Sequence, residues 1–148
     1  MDLTEHFTLS EFIASSKATQ LNIDNTPPDW AISNLTRTAE LLEKVRALFG
    51  RPLGISSGFR CLELNRSIGS KDTSQHVLGC AADFHIDGYT PHDIIERIAK
   101  SDIEYDQIIE ENLGGKSWVH ISVPNHPSDG YRKQKLIIDS HGTRSWNG

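Results

Sequence analysis

Three side chains with metal-ligating chemistry lie beside short runs of small and apolar residues. His76 and Asp83 are seven residues apart in the stretch from Ser74 to Ile86, with Gly79 between them. A glycine can adopt a positive φ, so we predict a loop that carries His76, a tight turn at Gly79 and a strand that carries Asp83. His120, in the sequence Trp-Val-His-Ile-Ser, offers a third ligand.

These three residues have the composition of a catalytic zinc site. Two imidazoles and one carboxylate leave a fourth coordination position to water or substrate. Zinc held in this way lowers the pKa of a bound water to about 7, which makes a nucleophile available at neutral pH. We therefore predict that His76, Asp83 and His120 bind Zn²⁺ for the hydrolysis of an amide bond.

Further short motifs accompany these ligands in a fixed order. They are Ser-Ser-Gly-Phe-Arg at 56–60, Leu-Asn at 64–65, Ser-Gln-His at 74–76, Gly79, Ala-Ala-Asp at 81–83 and Trp-Val-His-Ile-Ser at 118–122. In this order and spacing, the chain from about Phe7 to Ser122 resembles the zinc D-alanyl-D-alanine carboxypeptidase family. That family also includes D-Ala-D-Ala dipeptidases and phage L-alanyl-D-glutamate endolysins. The resemblance implies that the three predicted ligands match the family's zinc ligands.

A hydrolase of this type also needs a proton acceptor beside the attacking water. Several family members carry an acid three residues before the last histidine, where this chain has Ser117. A phage-type branch instead resembles Asp-Gln-hydrophobic-Ile-x-Glu, which residues 106–111 fit, with Glu111 at the matching place. Strand alternation turns Glu110 to the opposite face, so Glu111 is the predicted base and Glu110 the fallback. The alternative is a solvated pair of acids at a strand end.

Three side chains are candidates for binding the substrate. Arg60 follows a strand and a glycine, and its guanidinium could hold a substrate carboxylate bidentately or stabilise an oxyanion. The resemblance implies the same role, because the matching arginine of the family binds substrate. Ser74 and Gln107 are predicted to form hydrogen bonds from the cleft wall. An arginine that is merely exposed is the alternative for Arg60.

The overall composition limits the class of protein. The chain has 148 residues and a formal net charge of -5, with 15 Lys and Arg against 20 Asp and Glu. We expect a single domain over residues 1–148, a monomer, and no binding of nucleic acid. No apolar segment is long enough for membrane insertion, and the N-terminus has neither the basic start nor the apolar run of a signal peptide. We therefore expect a cytoplasmic protein that acts at the cell wall after release.

The two cysteines, Cys61 and Cys80, do not form a Cys-x-x-Cys pair, so no zinc-ribbon site is predicted. Free thiols are the simplest expectation. A disulfide in an oxidising compartment is one alternative. Thiol ligation of the metal is another, because both cysteines lie close in sequence to proposed site residues.

Helices and strands alternate along the chain. Helices are predicted from a capping box at Thr8 to about Ser16 and over residues 28–49, 62–68 and 91–100. Strands are predicted at 53–57, 81–86, 105–111, 118–123 and 135–139, the last at an edge of the sheet. The class is α+β, with helices packed on one face of a small, mainly antiparallel sheet. The resemblance implies the same fold, which the hedgehog signalling domain shares.

The leading hypothesis is a zinc metallopeptidase that cuts peptidoglycan stem peptides. A single-domain chain without a wall-binding module looks like a phage endolysin for a Gram-negative host, released to the wall by a holin. The sequence leaves open a D-Ala-D-Ala carboxypeptidase cut or an L-Ala-D-Glu endopeptidase cut. One alternative is a non-catalytic binding module that keeps the zinc fold, and the position of Glu111 tests it. Another is a virion component with wall-degrading activity.

Overall fold

The computed structural model describes residues 1–147. Its helices are α1 (Leu9–Ile13), α2 (Ser16–Leu21), α3 (Asp29–Phe49), α4 (Leu62–Ser67), α5 (Gln75–Leu78) and α6 (Pro91–Ala99). Its strands are β1 (Gly54–Ser57), β2 (Ala81–His85), β3 (Gln107–Leu113), β4 (Lys116–Ser122), β5 (Gln134–Asp139) and β6 (Gly142–Ser145). The predicted α+β class is confirmed. Within residues 1–147, no helix is both long and apolar enough to cross a membrane.

The first helix begins at the predicted capping box, where the backbone N–H of Thr8 donates to Glu11 Oε1 at 2.9 Å. It is shorter than predicted, because a second cap interrupts it. Ser15 Oγ accepts a hydrogen bond from the backbone N–H of Ala18 at 3.1 Å and starts α2, which was not predicted. A serine at a helix start stabilises the new helix by satisfying an unpaired backbone donor.

Helix α3 is the main scaffold and has the predicted extent. Its apolar stripe is buried at Leu35, Leu42, Val45 and Phe49. Each such side chain stabilises the fold by about 1.5–3 kcal/mol relative to full exposure. The helix ends at Gly50, which adopts φ +65° and donates its N–H to the carbonyl of Arg46 at 2.8 Å.

The six strands form one sheet in the order β1-β2-β4-β3-β5-β6. Neighbouring strands are antiparallel except β3 and β5, which are parallel. The hairpin between β3 and β4 turns at Gly114 and Gly115, whose φ values of +61° and +76° suit a two-residue turn. The prediction that residues 135–139 form an edge strand is wrong, because β6 pairs along the outer side of β5. Strand β6 was missed because it is short, polar and fully exposed, so it lacks an apolar pattern.

The two faces of the central strands have different environments. Side chains alternate along a strand, and the odd positions of β2 and β3 share one face with the even positions of β4, the face of the register pairs Asp83–His120 and Ile109–His120. The opposite face is apolar and packs against α3 and α6. Its buried side chains include Ala82, Phe84, Ile108, Val119 and Ile121. One face of the sheet therefore forms part of the core, and the other face borders a cleft.

Candidate metal centre

Helix α5 places the first predicted ligand. His76 lies in this one-turn helix, not in the predicted loop, because both ends of the turn are capped. At the start, Ser74 Oγ accepts a hydrogen bond from the backbone N–H of His76 at 3.3 Å. At the end, Gly79 adopts φ +79°, so the predicted sharp turn is present. A Cβ at that glycine would lie 2.8 Å from the carbonyl oxygen of Ala31 in α3, which leaves no room for a side chain.

The sheet brings the other two predicted ligands to the same point. Asp83 and His120 are direct partners across β2 and β4. Asp83 Oδ1 lies 3.2 Å from His76 Nε2 and 3.0 Å from His120 Nδ1. One ligand atom from each of the three residues lies within 4.8 Å of the others, and all three residues are buried. The structure thus gathers the three side chains that the sequence analysis selected.

The hydrogen bonding of His76 shows that this cluster fits a cation. Its Nδ1 lies 2.7 Å from the carbonyl oxygen of Gly58, so Nδ1 carries the proton and donates it. Burial lowers the pKa of His76, which leaves the ring neutral near pH 7 and its Nε2 unprotonated. That nitrogen then faces an oxygen of Asp83, and two acceptors at this distance repel unless a cation lies between them. Two imidazole nitrogens and a carboxylate, with one imidazole oriented by a backbone carbonyl, fit Zn²⁺.

Asp83 is suited to remain ionised. Burial raises the pKa of its carboxyl, but a hydrogen bond donated by His120 Nδ1, 3.0 Å from Asp83 Oδ1, favours the ionised form and helps to hold the pKa well below its usual range. A ligand carboxylate must be deprotonated to bind a metal ion. The site therefore presents an anion between two imidazoles at neutral pH.

A single cleft of about 810 Å³ lies over this cluster. Every residue predicted to belong to the site lines it: Arg60, Ser74, His76, Asp83, Gln107, Glu111 and His120. The segment that connects α4 to α5 forms one wall, and the exposed face of β3 and β4 forms the floor. This volume is within the range of ligand-binding clefts and can hold a peptide of several residues.

Glu111 stands on the floor of this cleft. It is the register partner of Trp118, whose indole N–H donates to Glu111 Oε2 at 2.9 Å. Burial raises the pKa of Glu111, and the negative charge of Asp83 raises it further. A carboxyl with a raised pKa is suited to accept and return a proton near neutral pH. The role of Glu111 as the base stays a prediction.

Glu110 lies on the other face of the same strand. Its Oε1 accepts a hydrogen bond from the indole N–H of Trp146 at 3.0 Å, and its Oε2 accepts one from the Asn112 amide at 2.9 Å. His92 Nδ1 of α6 lies 3.6 Å from Oε1. Glu110 does not line the cleft described above, so the two acids are separated as strand alternation predicts.

Arg60 enters the cleft beside the metal cluster. Its backbone N–H donates to the carbonyl of His76 at 3.1 Å, and its Nη2 lies 3.5 Å from Ser74 Oγ. Its Nε is buried and has no hydrogen-bond partner among residues 1–147. Burial lowers the pKa of the guanidinium, although an arginine remains charged at neutral pH. A half-buried guanidinium with so few partners is suited to bind an anionic group.

The other two predicted substrate contacts also have structural partners. Ser74 caps α5 and approaches Arg60. The amide nitrogen of Gln107 donates to Gln134 Oε1 in β5 at 2.6 Å. Both line the cleft, and their contacts with a substrate stay predictions.

Sequence analysis missed a polar network behind the cleft. Asp106 is buried, and Arg132 donates to it twice, from Nε to Oδ1 at 2.8 Å and from Nη2 to Oδ2 at 2.6 Å. Gln75 Nε2 donates to the same carboxylate at 3.1 Å. The network ties α5 to β3 and to the segment before β5. Asp106 begins the six-residue motif that ends at Glu111, but its arginine partner is 26 positions away and no local pattern marks it.

The cysteines take no part in the candidate metal centre. Both Cys61 and Cys80 are free. Within the described part of the chain, the only cluster able to hold a metal ion consists of the two histidines and the aspartate named above. Burial raises the pKa of the Cys80 thiol, and a protonated thiol is a poor ligand. Thiol ligation therefore has no support from the geometry.

The geometry of the metal-ligating cluster agrees with the protein family that the sequence matches. A comparison with curated proteins gave no match. Residues 5–122 match the family described as Peptidase M15. Peptidases of this family are zinc-dependent and act on peptidoglycan. The matched span contains the His-Asp-His cluster, Arg60 and Glu111. The chain therefore belongs to the Peptidase M15 family.

Proposed function

We propose that this chain hydrolyses amide bonds in the stem peptides of peptidoglycan. The observation that carries the proposal is the convergence of three buried metal-ligating residues, a carboxyl with a raised pKa and a half-buried guanidinium in one cleft. Together they supply a metal site, a base and an anion-binding group, which are the parts needed for metal-assisted hydrolysis.

The three ligands would hold the zinc ion through His76 Nε2, His120 Nδ1 and a carboxylate oxygen of Asp83. When bound, zinc supplies a Lewis acid that polarises the scissile carbonyl and lowers the pKa of water. The Gly58 carbonyl keeps His76 in the tautomer that ligation requires.

Glu111 is the proposed proton carrier. It accepts a proton from the attacking water as the new carbon–oxygen bond forms. It then returns that proton to the leaving amine nitrogen as the carbon–nitrogen bond breaks. Its raised pKa supports both steps, because the group must exchange a proton twice in each turnover.

Arg60 is the proposed anion-binding group. Its guanidinium can hold a carboxylate of the stem peptide or the oxyanion that develops at the carbonyl. Ser74 lies close enough to orient it. Gln107, farther along the floor, is proposed to bind the peptide backbone.

A binding module that keeps the fold without catalysis has less support. That hypothesis gains if Glu111 lies away from the metal ligands, and Glu111 lines the same cleft. Glu111 lies two residues along β3 from Ile109, the register partner of His120, so Glu111 and His120 lie on the same face of the hairpin.

The decisive experiment digests purified sacculi with zinc-loaded protein, with and without a chelator. Mass spectrometry of the products identifies the bond. Loss of a terminal D-Ala indicates a carboxypeptidase, whereas separation of L-Ala from D-Glu indicates an endopeptidase. We expect cleavage that stops with chelator and returns with added zinc. Unchanged sacculi that nevertheless retain the protein would favour the binding module.

We further propose that the chain is a phage endolysin. The support is the resemblance of residues 106–111 to the phage-type branch, with Glu111 in the cleft. Expression in a Gram-negative host should cause lysis only when a holin is produced as well. A protein that cleaves sacculi but never lyses cells with a holin would contradict the endolysin role and favour a virion component.

A further inference from the structure

Trp118 and Glu111 form a tightly defined pair on the cleft floor. They are register partners across β4 and β3, and the indole N–H donates to Glu111 Oε2 at 2.9 Å. We propose that Trp118 is a positioning residue that holds the Glu111 carboxylate so that Oε1 alone accepts the proton. This inference rests on the proposed function, because it requires Glu111 to be the base.

The bond constrains a side chain that would otherwise be mobile. A glutamate has three rotatable bonds, and a general base must lie within hydrogen-bond reach of the proton that it removes. Among residues 1–147, the indole is the one side chain that donates to the Glu111 carboxylate. Fixing one oxygen therefore leaves the other as the free acceptor and reduces the orientations that the base can adopt.

The same bond acts on the ionisation of Glu111. Burial and the charge of Asp83 disfavour the carboxylate, whereas His120, Arg60 and the indole N–H favour it. An indole is a donor only, so it stabilises the ionised carboxylate more than the protonated carboxyl. Trp118 thus keeps a half-buried carboxyl able to act as a base.

The opposite face of β3 supplies a matched control. Trp146 donates to Glu110 Oε1 at 3.0 Å, which is the same chemical pair on the neighbouring residue. In that pair the second carboxylate oxygen of Glu110 also accepts a hydrogen bond, from the Asn112 amide. Substitutions in the two pairs remove the same groups and differ only in the face that they affect.

The kinetic test compares Trp118→Phe with Trp146→Phe in zinc-loaded protein. Phenylalanine keeps an aromatic ring and removes the N–H. For Trp118→Phe we expect kcat on stem peptides to fall about 10- to 100-fold with little change in KM. The acid limb of the kcat/KM profile should move to higher pH, because the ionised carboxylate has lost a donor. Trp146→Phe should keep the kcat and the pH profile of the wild type.

A second measurement uses metal-free protein and leaves the tryptophans intact. The chain has three tryptophans, so an ¹H–¹⁵N spectrum shows three indole signals. Trp30→Phe and Trp146→Phe assign two of them, and the remaining signal belongs to Trp118. Glu111→Gln should shift the Trp118 indole signal and leave that of Trp146 in place. Glu110→Gln should do the reverse.

The outcomes separate this inference from the proposed function. If Glu111→Gln is inactive while Trp118→Phe keeps the wild-type kcat and pH profile, the positioning role is overturned and the base assignment stands. If Glu111→Gln keeps full turnover, both are overturned. An indole signal of Trp118 that does not respond to Glu111→Gln would also overturn the pairing, whether or not Trp118→Phe folds.

Discussion

The two faces of β3 carry the same pair of residue types in different settings. On the cleft face, Glu111 accepts a hydrogen bond from Trp118 at one oxygen. On the helix face, Glu110 accepts hydrogen bonds at both oxygens, from Trp146 and Asn112. The ring of His92 in α6 also stacks on Trp146, with centroids 4.9 Å apart.

The difference indicates which carboxylate is structural. Glu110 links β3 to α6 and to the segment after β6, and both of its carboxylate oxygens accept hydrogen bonds from the protein. Among residues 1–147, one carboxylate oxygen of Glu111 has no donor, and burial together with the charge of Asp83 raises the pKa of Glu111. A titratable group that is perturbed and under-bonded in a cleft is a functional candidate, whereas a fully bonded one is better explained by stability.

The largest expected effect concerns the metal. The wild type should bind about one zinc per chain, as three protein ligands predict. His76→Ala or His120→Ala should lose the metal, whereas His92→Ala on the helix face should keep it. Elemental analysis of purified protein measures the zinc content. Full zinc retention in both cleft variants would refute the ligand assignment.

The second effect separates the two glutamates. Glu111→Gln keeps the size of the side chain but cannot accept a proton, so turnover of stem peptides should drop by about 10²–10⁴. Zinc content should stay near that of the wild type, because Glu111 is not a proposed ligand. Glu110→Gln should change turnover little.

Two results would contradict that comparison in different ways. An inactive Glu110→Gln beside an active Glu111→Gln would mean that the strand register is shifted by one residue. Full activity in both variants would place the base elsewhere, whereas absence of activity in the wild type would support the binding module.

The third effect concerns Arg60. Arg60→Lys keeps the charge and loses the bidentate fork, so transition-state binding should weaken by about 1–3 kcal/mol in kcat/KM. Arg97→Lys in α6 is the matched control, because Arg97 donates to Tyr89 Oη and the Leu48 carbonyl on the helix side. Equal kinetics for the two variants would show that Arg60 has no role in catalysis.

The smallest effect concerns stability in metal-free protein. The folded state raises the pKa of Glu111, so its ionisation costs stability as the pH rises from below the unfolded pKa through the folded pKa. Glu111→Gln removes that cost, so it should gain stability relative to wild type with rising pH, by less than about 1 kcal/mol. Glu110→Gln should instead lose about 1 kcal/mol, because one of its two donors loses an acceptor. Urea unfolding at several pH values measures both, and a destabilised Glu111→Gln at pH 7 would contradict the comparison.

Much of the candidate site followed from local patterns in the sequence. The period of two along a strand separated Glu110 from Glu111, and Gly79 marked the turn between His76 and Asp83. Helix α3 was predicted from its apolar spacing and its terminal glycine. These features depend on residues a few positions apart, whose geometry is set by backbone sterics and side-chain alternation.

Only the tertiary structure decided the contacts that give those residues their properties. The Gly58 carbonyl that orients His76 and the Arg132 that binds Asp106 are distant in sequence, and many other partners would have satisfied the same local patterns. The hydrogen bond from Trp118 to Glu111 depends on the register of one hairpin, since a shift of one residue would exchange the two faces. Burial, which raises the pKa of Glu111 and lowers that of His76, arises from the packing of the whole fold and has no signal in a short segment.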